Sequence, residues 1–253
     1  MKMKLFPFIA AIAMLALTSC APQSENTNEQ AEMPPAGQLA EGETGLEGNW
    51  INKKYADELA KTGSPRASQT AAGMSMLVFP RELKNIAIII WNFHEGTNSV
   101  VKQLDKNSFA FQPHAGDPNK TIMLENDIIK TGDDEFIRLS EIPAKRDYYV
   151  AEQLLFAGKY DLNGKPVEFT KDGRIIGIDG FTYYSVVLDY NDAAMDVDQV
   201  RLGTAIENSK SYGFTFSGKT LTIYELKCVQ TEDGKCMSVA NGKELYKLVK
   251  STQ

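Results

Sequence analysis

From residue 46 onward the apolar residues of this 253-residue chain come in short runs separated by polar breaks. The runs cover 48–52, 75–79, 86–93, 108–111, 121–125, 136–139, 154–160, 167–170, 174–178, 182–188, 199–202, 212–216, 220–229, 237–240 and 245–249. Gly, Asn and Asp mark the breaks, among them 94–98, 113–120, 130–134, 161–165, 171–173, 216–219 and 241–243. Many short strands with turns at this spacing predict a sandwich or a barrel, and the tight breaks favour antiparallel hairpins. One short helix is expected, because Tyr55 and Leu59 are spaced i, i+4, Lys61 sits near the end, and Gly63 and Pro65 stop it. Ile86-Ala87-Ile88-Ile89-Ile90-Trp91 does not alternate, so both faces of that strand should be covered, with the helix as one available cover. The fold class expected is all-β: an antiparallel up-and-down barrel with one short helix, over residues 46–253. About 205 residues are ample for one core, since a domain of that size buries roughly 70% of its unfolded surface. A rival arrangement makes two barrels of about 100 residues each. It is motivated by Gly48-Asn49-Trp50 and Gly158-Lys159-Tyr160, either of which can open a meander, with residues 142–147 as the candidate boundary.

The N-terminus reads differently. Basic residues Lys2 and Lys4 precede an apolar run from Leu5 to Leu17, and Thr18-Ser19-Cys20 follow. Thirteen helical residues span about 20 Å, short of the roughly 30 Å hydrocarbon core, so residues 1–19 are expected to be an export signal. Leu17-Thr18-Ser19-Cys20 resembles the lipobox of bacterial lipoproteins, which implies cleavage before Cys20 and lipidation of that cysteine. Several acyl chains anchor far more firmly than one, at about 0.8 kcal/mol per buried methylene. With Ala21 rather than aspartate next, the familiar sorting rule implies an outer membrane, facing either the periplasm or the exterior. Residues 20–45 then form the lipidated cysteine and its linker. From 21 to 45 there is no aromatic residue and no basic one, but five glutamates. Such a segment cannot bury enough apolar surface to offset its ordering entropy, and its root-mean-square span as a coil is about 25–30 Å.

Charge and cysteine content narrow the partners. The chain carries 27 Lys and Arg against 33 Asp and Glu, net −6, and two of the lysines lie in the export signal. This acidic balance argues against nucleic acid as a partner. Setting Cys20 aside leaves Cys228 and Cys236, flanking an Asp-Gly turn signal at Asp233-Gly234. A hairpin there would bring the two side chains together, and an oxidising envelope would permit a disulfide. The alternative is two thiols out of register.

Leu46-Glu47-Gly48-Asn49-Trp50, with Tyr55, Leu59 and the Gly63–Pro65 stop, resembles the opening of lipocalin-like barrels. Together with Asn92-Phe93-His94-Glu95-Gly96, the pattern is similar to a group of uncharacterised lipocalin-like bacterial lipoproteins over most of residues 46–250. The resemblance implies a calycin-type barrel with a central cavity, the usual seat of an apolar ligand, and no known activity. It also implies that a cation from the last strand, 245–250, covers the Trp50 ring; lipocalins use arginine there, whereas this stretch offers lysine.

Several residue groups are candidates for chemistry. Trp91, Phe93, His94, Glu95, Tyr183 and Phe214 are the candidate ligand-binding residues, against a default of core packing for the aromatics. His94, His114 and Asp117 together would make an acid–base or metal site at a barrel rim, although their spacing matches no established motif. Asp189, Asp192, Asp196 and Asp198 concentrate oxygen ligands in one loop. Ca²⁺ takes six to eight oxygens, but this loop lacks the glycine and terminal glutamate of the EF-hand, and a solvated acidic turn is the alternative. No other cofactor is expected. There is no nucleophile elbow, Walker loop or dinucleotide fingerprint where a strand–helix turn would need it. The leading expectation is a membrane-anchored binding module, without catalysis, for a small amphiphilic ligand or an envelope partner. The alternatives are an envelope hydrolase at the His94–Glu95 rim, and a structural or inhibitory lipoprotein that acts by protein contact.

Overall fold

In the computed structural model, which describes residues 44–83, 85–140 and 149–251, the apolar runs pair as antiparallel strands in two sheets. The first contains β1 (Gly48–Asn52), β2 (Met74–Phe79), β3 (Ile86–Trp91), β4 (Glu95–Val100), β5 (Lys102–Gln103), β6 (Ser108–Phe111), β7 (Lys120–Glu125), β8 (Ile128–Thr131) and β9 (Asp134–Ser140). Its order is β4-β3-β2-β1-β9-β8-β7-β6-β5. The two outermost strands are separated in the chain by Val101 alone, so they are two halves of one bent strand. Eight effective strands therefore wrap into an all but closed up-and-down barrel.

The second sheet contains β10 (Gly158–Leu162), β11 (Lys165–Phe169), β12 (Ile175–Ile176), β13 (Tyr183–Val186), β14 (Gln199–Gly203), β15 (Lys210–Ser217), β16 (Thr220–Glu232) and β17 (Lys235–Lys250). Its order is β12-β11-β10-β17-β16-β15-β14-β13. The edges meet through an Arg174–Tyr183 bridge, with the Ile175 amide donating to Thr182 O at 3.0 Å and the Tyr184 amide to Gly173 O at 2.8 Å. In both barrels the first strand pairs with the last.

The all-β, antiparallel barrel architecture agrees with the sequence pattern, but two sheets stand where one continuous sheet was expected. Barrel geometry supplies the reason. Eight strands enclose a space that side chains just fill, whereas twice that number would leave a wide lumen. Both sheets lie in one compact unit, Ala36–Gln253. The expected export signal (residues 1–19), Cys20, most of the expected linker and the 142–147 candidate boundary lie outside the described residues. Among the described residues no helix is long and apolar enough to cross a membrane.

Each barrel is filled by its own side chains. Trp50, Leu77, Ile89, Phe109, Ile122 and Phe136 are among those packed in the first. In the second, Phe156 meets Phe214 with ring centroids 4.9 Å apart, and Phe169 meets Tyr184 at 5.0 Å. Strand alternation sends Ile51, Met76, Val78 and Ile90 out of the first barrel, where they join the core cluster of the second. Ile86–Trp91 is thus covered on both faces, as its unbroken apolar run requires.

The expected helix, α1 (Lys53–Thr62), helps to fill that junction with Tyr55, Ala56 and Leu59. The Asn52 side chain caps its start by accepting from the Lys54 amide at 2.9 Å. Gly63 ends it in the left-handed region at φ +63°, and a Cβ there would lie 2.8 Å from Phe216 Cβ. Pro65 does not terminate the helical segment but opens a second turn, α2 (Pro65–Ser68), in the first-turn position where its missing N–H costs nothing. The run read as a strand from 154 begins instead as a π-type turn, Glu152–Phe156, and pairing starts at Gly158.

The cation over Trp50 comes from within its own sheet. Arg138 in β9 places its guanidinium carbon 4.0 Å from the ring centroid, and the same group donates to Gly45 O at 2.7 Å and to Glu47 O. Lysine from the last strand is therefore not the Trp50 cap: Lys250 lies over Tyr160 at 5.6 Å and donates to Leu155 O at 3.1 Å. The two closures match residue for residue. Trp50 Nε1 donates to Leu46 O and Tyr160 Oη to Phe156 O, four residues back and at 2.6 Å in both cases. The Gly-x-aromatic openings at 48–50 and 158–160 thus begin two copies of one closing device.

The β16–β17 hairpin continues beyond the barrel. Pairing with β15 stops at Tyr224, while the two long strands remain paired to Glu232–Lys235. Asp233 and Gly234 both have positive φ, as a tight hairpin turn needs. A disulfide joins Cys228 and Cys236 across this ribbon. The loop after β13 holds it on one side, with the Ala194 amide donating to Met237 O at 2.9 Å and Asp196 Oδ2 accepting from the Val239 amide at 2.8 Å.

Candidate functional site

The strongest candidate site lies between the barrels. A cleft of about 290 Å³ opens between the end of β3 and its turn on one side, and β13, β14 and residues 149–152 on the other. Ile90, Phe93, Val186, Leu188 and Ile206 give it an apolar lining, while Tyr149, Glu152, Asp189 and Arg201 bring polar and charged groups.

Phe93 reaches the cleft from the turn that joins β3 to β4. Asn92 and Phe93 have φ of 48° and 56°, and the His94 amide donates to Trp91 O at 2.9 Å, which makes a tight turn. The left-handed region costs a non-glycine residue roughly 1–2 kcal/mol. That cost is met locally by the six-residue pairing of β3 with β4 and by the Phe93 ring on Tyr55, centroids 4.7 Å apart. Tyr55 is itself fully buried, and its hydroxyl has no hydrogen-bond partner among the described residues. Burial pushes that hydroxyl far above the ordinary tyrosine range, with the charges of Asp198 and Glu152 adding to the effect.

At the rim, His94 Nδ1 lies 2.8 Å from Asp189 Oδ2, linking the turn after β3 to the loop after β13. The Asp189 hydrogen bond and charge raise the imidazole above its ordinary value, with smaller help from Glu95 and Asp192 against some desolvation. For Asp189, burial works upward, but hydrogen bonds from His94 and from the Asn191 amide and side chain outweigh it, so its carboxyl sits low. Glu152 is 2% exposed, and its Oε1 accepts from the Val186 amide at 2.6 Å. A carboxylate buried in the first turn of Glu152–Phe156 thus anchors β13 to that turn.

The sequence-derived candidates scatter. Phe93 lines the cleft and His94 holds its rim. Trp91 is turned elsewhere: its ring stacks on His114 at 4.6 Å and its Nε1 donates to Thr97 Oγ1 at 2.7 Å. Glu95 is exposed opposite Trp91 in the ladder, Tyr183 is half-buried on β13, and Phe214 is fully buried inside the second barrel. His94 and His114 therefore have different partners, Asp189 and Trp91, and among the described residues neither imidazole is hydrogen-bonded to a hydroxyl. The four aspartates are engaged separately as well. Asp189 serves His94, Asp196 the Val239 amide, Asp198 the Arg66 amide at 2.9 Å, and Asp192 is exposed. Among the described residues no group of three or more His, Cys, Asp or Glu is placed to hold a metal ion.

Tyr149, Glu152, Arg201 and Ile206 were not singled out by sequence. The one available signal was Glu152, an acid interrupting the apolar stretch Val150–Phe156. Comparisons with known protein families, with curated proteins and with solved structures find no match.

Proposed function

We propose that this chain is a lipid-anchored binding module of the bacterial cell envelope, and that it holds a small amphiphile in the cleft between its barrels. One observation carries the reading: a cleft of about 290 Å³ in which Phe93, presented by the turn after β3, lies beside apolar side chains and a few polar ones. Binding pockets have this mixed lining, and their volumes begin near 300 Å³. The barrel interiors are occupied by Trp50, Phe109, Phe214 and their neighbours, so the ligand lies between the barrels and not within one. The anchor rests on the sequence around Cys20, and Ala21 directs the protein to the outer membrane.

Native mass spectrometry of the protein recovered from envelopes tests both halves in one spectrum. The expected wild-type mass is that of a chain starting at an acylated Cys20 with a small amphiphile retained, and Phe93→Ala loses the amphiphile but keeps the acylation. A wild-type chain that carries no amphiphile, or a variant that retains it equally, overturns the cleft reading. A chain without acyl mass overturns the anchor.

A further inference from the structure

The charged groups of the cleft are not equivalent, and their difference indicates what kind of head group it takes. Arg201 projects from β14 opposite Ser185 of β13 and lines the cleft. Among the described residues its guanidinium has no ion pair and no hydrogen bond. The two acids nearby are both occupied by donors. Glu152 is withdrawn from solvent onto the Val186 amide, and Asp189 accepts from His94 on one oxygen and from the Asn191 amide and side chain on the other, at 3.1 and 3.0 Å. Resting on the cleft reading, we infer that the ligand is a short-chain anionic amphiphile, its carboxylate held by Arg201 and its chain lying over Phe93, Leu188 and Ile206.

Physical arguments set both ends of such a molecule. A planar guanidinium offers two parallel donors that match a carboxylate, and charge-assisted hydrogen bonds of this kind are about twice as strong as neutral ones. At the other end, Ile206 is 44% exposed, a large apolar side chain at the cleft mouth that an alkyl chain would cover. Size follows from volume. At roughly 30 Å³ per water-sized group, 290 Å³ accommodates about ten non-hydrogen atoms. A single chain of about eight carbons with its head group matches that space.

Calorimetric titration of the mature Cys20→Ser chain, which carries no acyl groups of its own, tests this with octanoate, 1-octanol and octylammonium at pH 7.5. Wild type is expected to bind octanoate about tenfold or more tightly than the other two. Arg201→Gln should bring octanoate down to the level of octanol while leaving octanol unchanged, and Phe93→Ala should weaken both. Octylammonium binding as tightly as octanoate, or octanoate unaffected by Arg201→Gln, overturns the anionic assignment. If Phe93→Ala still weakens binding, the cleft reading survives that result. Failure of all three compounds to bind a wild-type chain with native circular dichroism overturns both. Arg201 is exposed, so its variant should fold, and its melting curve checks that.

Discussion

At the rim of the cleft, a single imidazole–carboxylate pair joins the two barrels, and the pH response of that contact is set by two opposed shifts. His94 is raised above its ordinary 6.5, so the stability it contributes is complete below that value and is lost as pH rises through its folded value. Asp189 is lowered below its ordinary 3.8, so its contribution is present above that value and is lost as pH falls through its folded one. The pair is therefore whole between about pH 4 and 6.5. Both side chains are substantially exposed, 43% and 33%, which keeps the effect small. Asp189→Asn should lower the melting temperature most near pH 5–6, with the difference closing toward pH 9. A difference that stays constant across this range would show that the charge pairing is not what holds the contact. Only part of this site was legible in the sequence. Phe93 and His94 stood out as an aromatic and a titratable residue next to a strand end. Arg201 did not, because an arginine at a polar position of an alternating strand looks like any solvated side chain until the opposite wall is known.

At the level of elements, the Gly-x-aromatic openings were readable, but their partners were not. The aromatic's neighbour is local, four residues back in both barrels, whereas its cation arrives from a strand about 90 residues away. Arg138 has more partners than Lys250. Its side chain is 17% exposed, and besides Trp50 it serves the carbonyls of Gly45 and Glu47 and pairs with Asp127 at 2.6 Å. Removing it leaves the part-buried Glu47 carbonyl without that donor and a tryptophan face without its charge, at about 1–3 kcal/mol for the first and 0.5–2 for the second. Arg138→Ala should thus cost about 2–4 kcal/mol in urea unfolding, and Lys250→Ala less, since Lys250 has one carbonyl partner and a longer ring distance. No loss at Arg138 would mean that its closure is decorative, and equal losses would mean that its extra partners contribute nothing. Strand prediction failed where polar residues were taken for turns. β4, Glu-Gly-Thr-Asn-Ser-Val, has few apolar side chains and owes its conformation to pairing along the whole of β3.

For the molecule as a whole, local pattern established the all-β antiparallel class but not where the sheet would close. Period-two alternation looks the same whether eight strands or sixteen share a barrel, and closure is decided by how much volume side chains can fill. Residues that alternation sends outward from the first barrel, such as Ile51 and Met76, are as buried as those inside, because α1 and the second barrel cover them. That second layer of burial creates the junction, and the junction creates the cleft. The proposed ligand lies between the barrels, with each interior filled. Photolabelling with an octanoate bearing a diazirine near its methyl end tests this placement most directly, with the modified residues identified by peptide sequencing. Adducts are expected at Phe93, Leu188 and Ile206. Adducts at Trp50 and Phe109, or at Tyr160 and Phe214, would place the ligand inside a barrel and contradict the account.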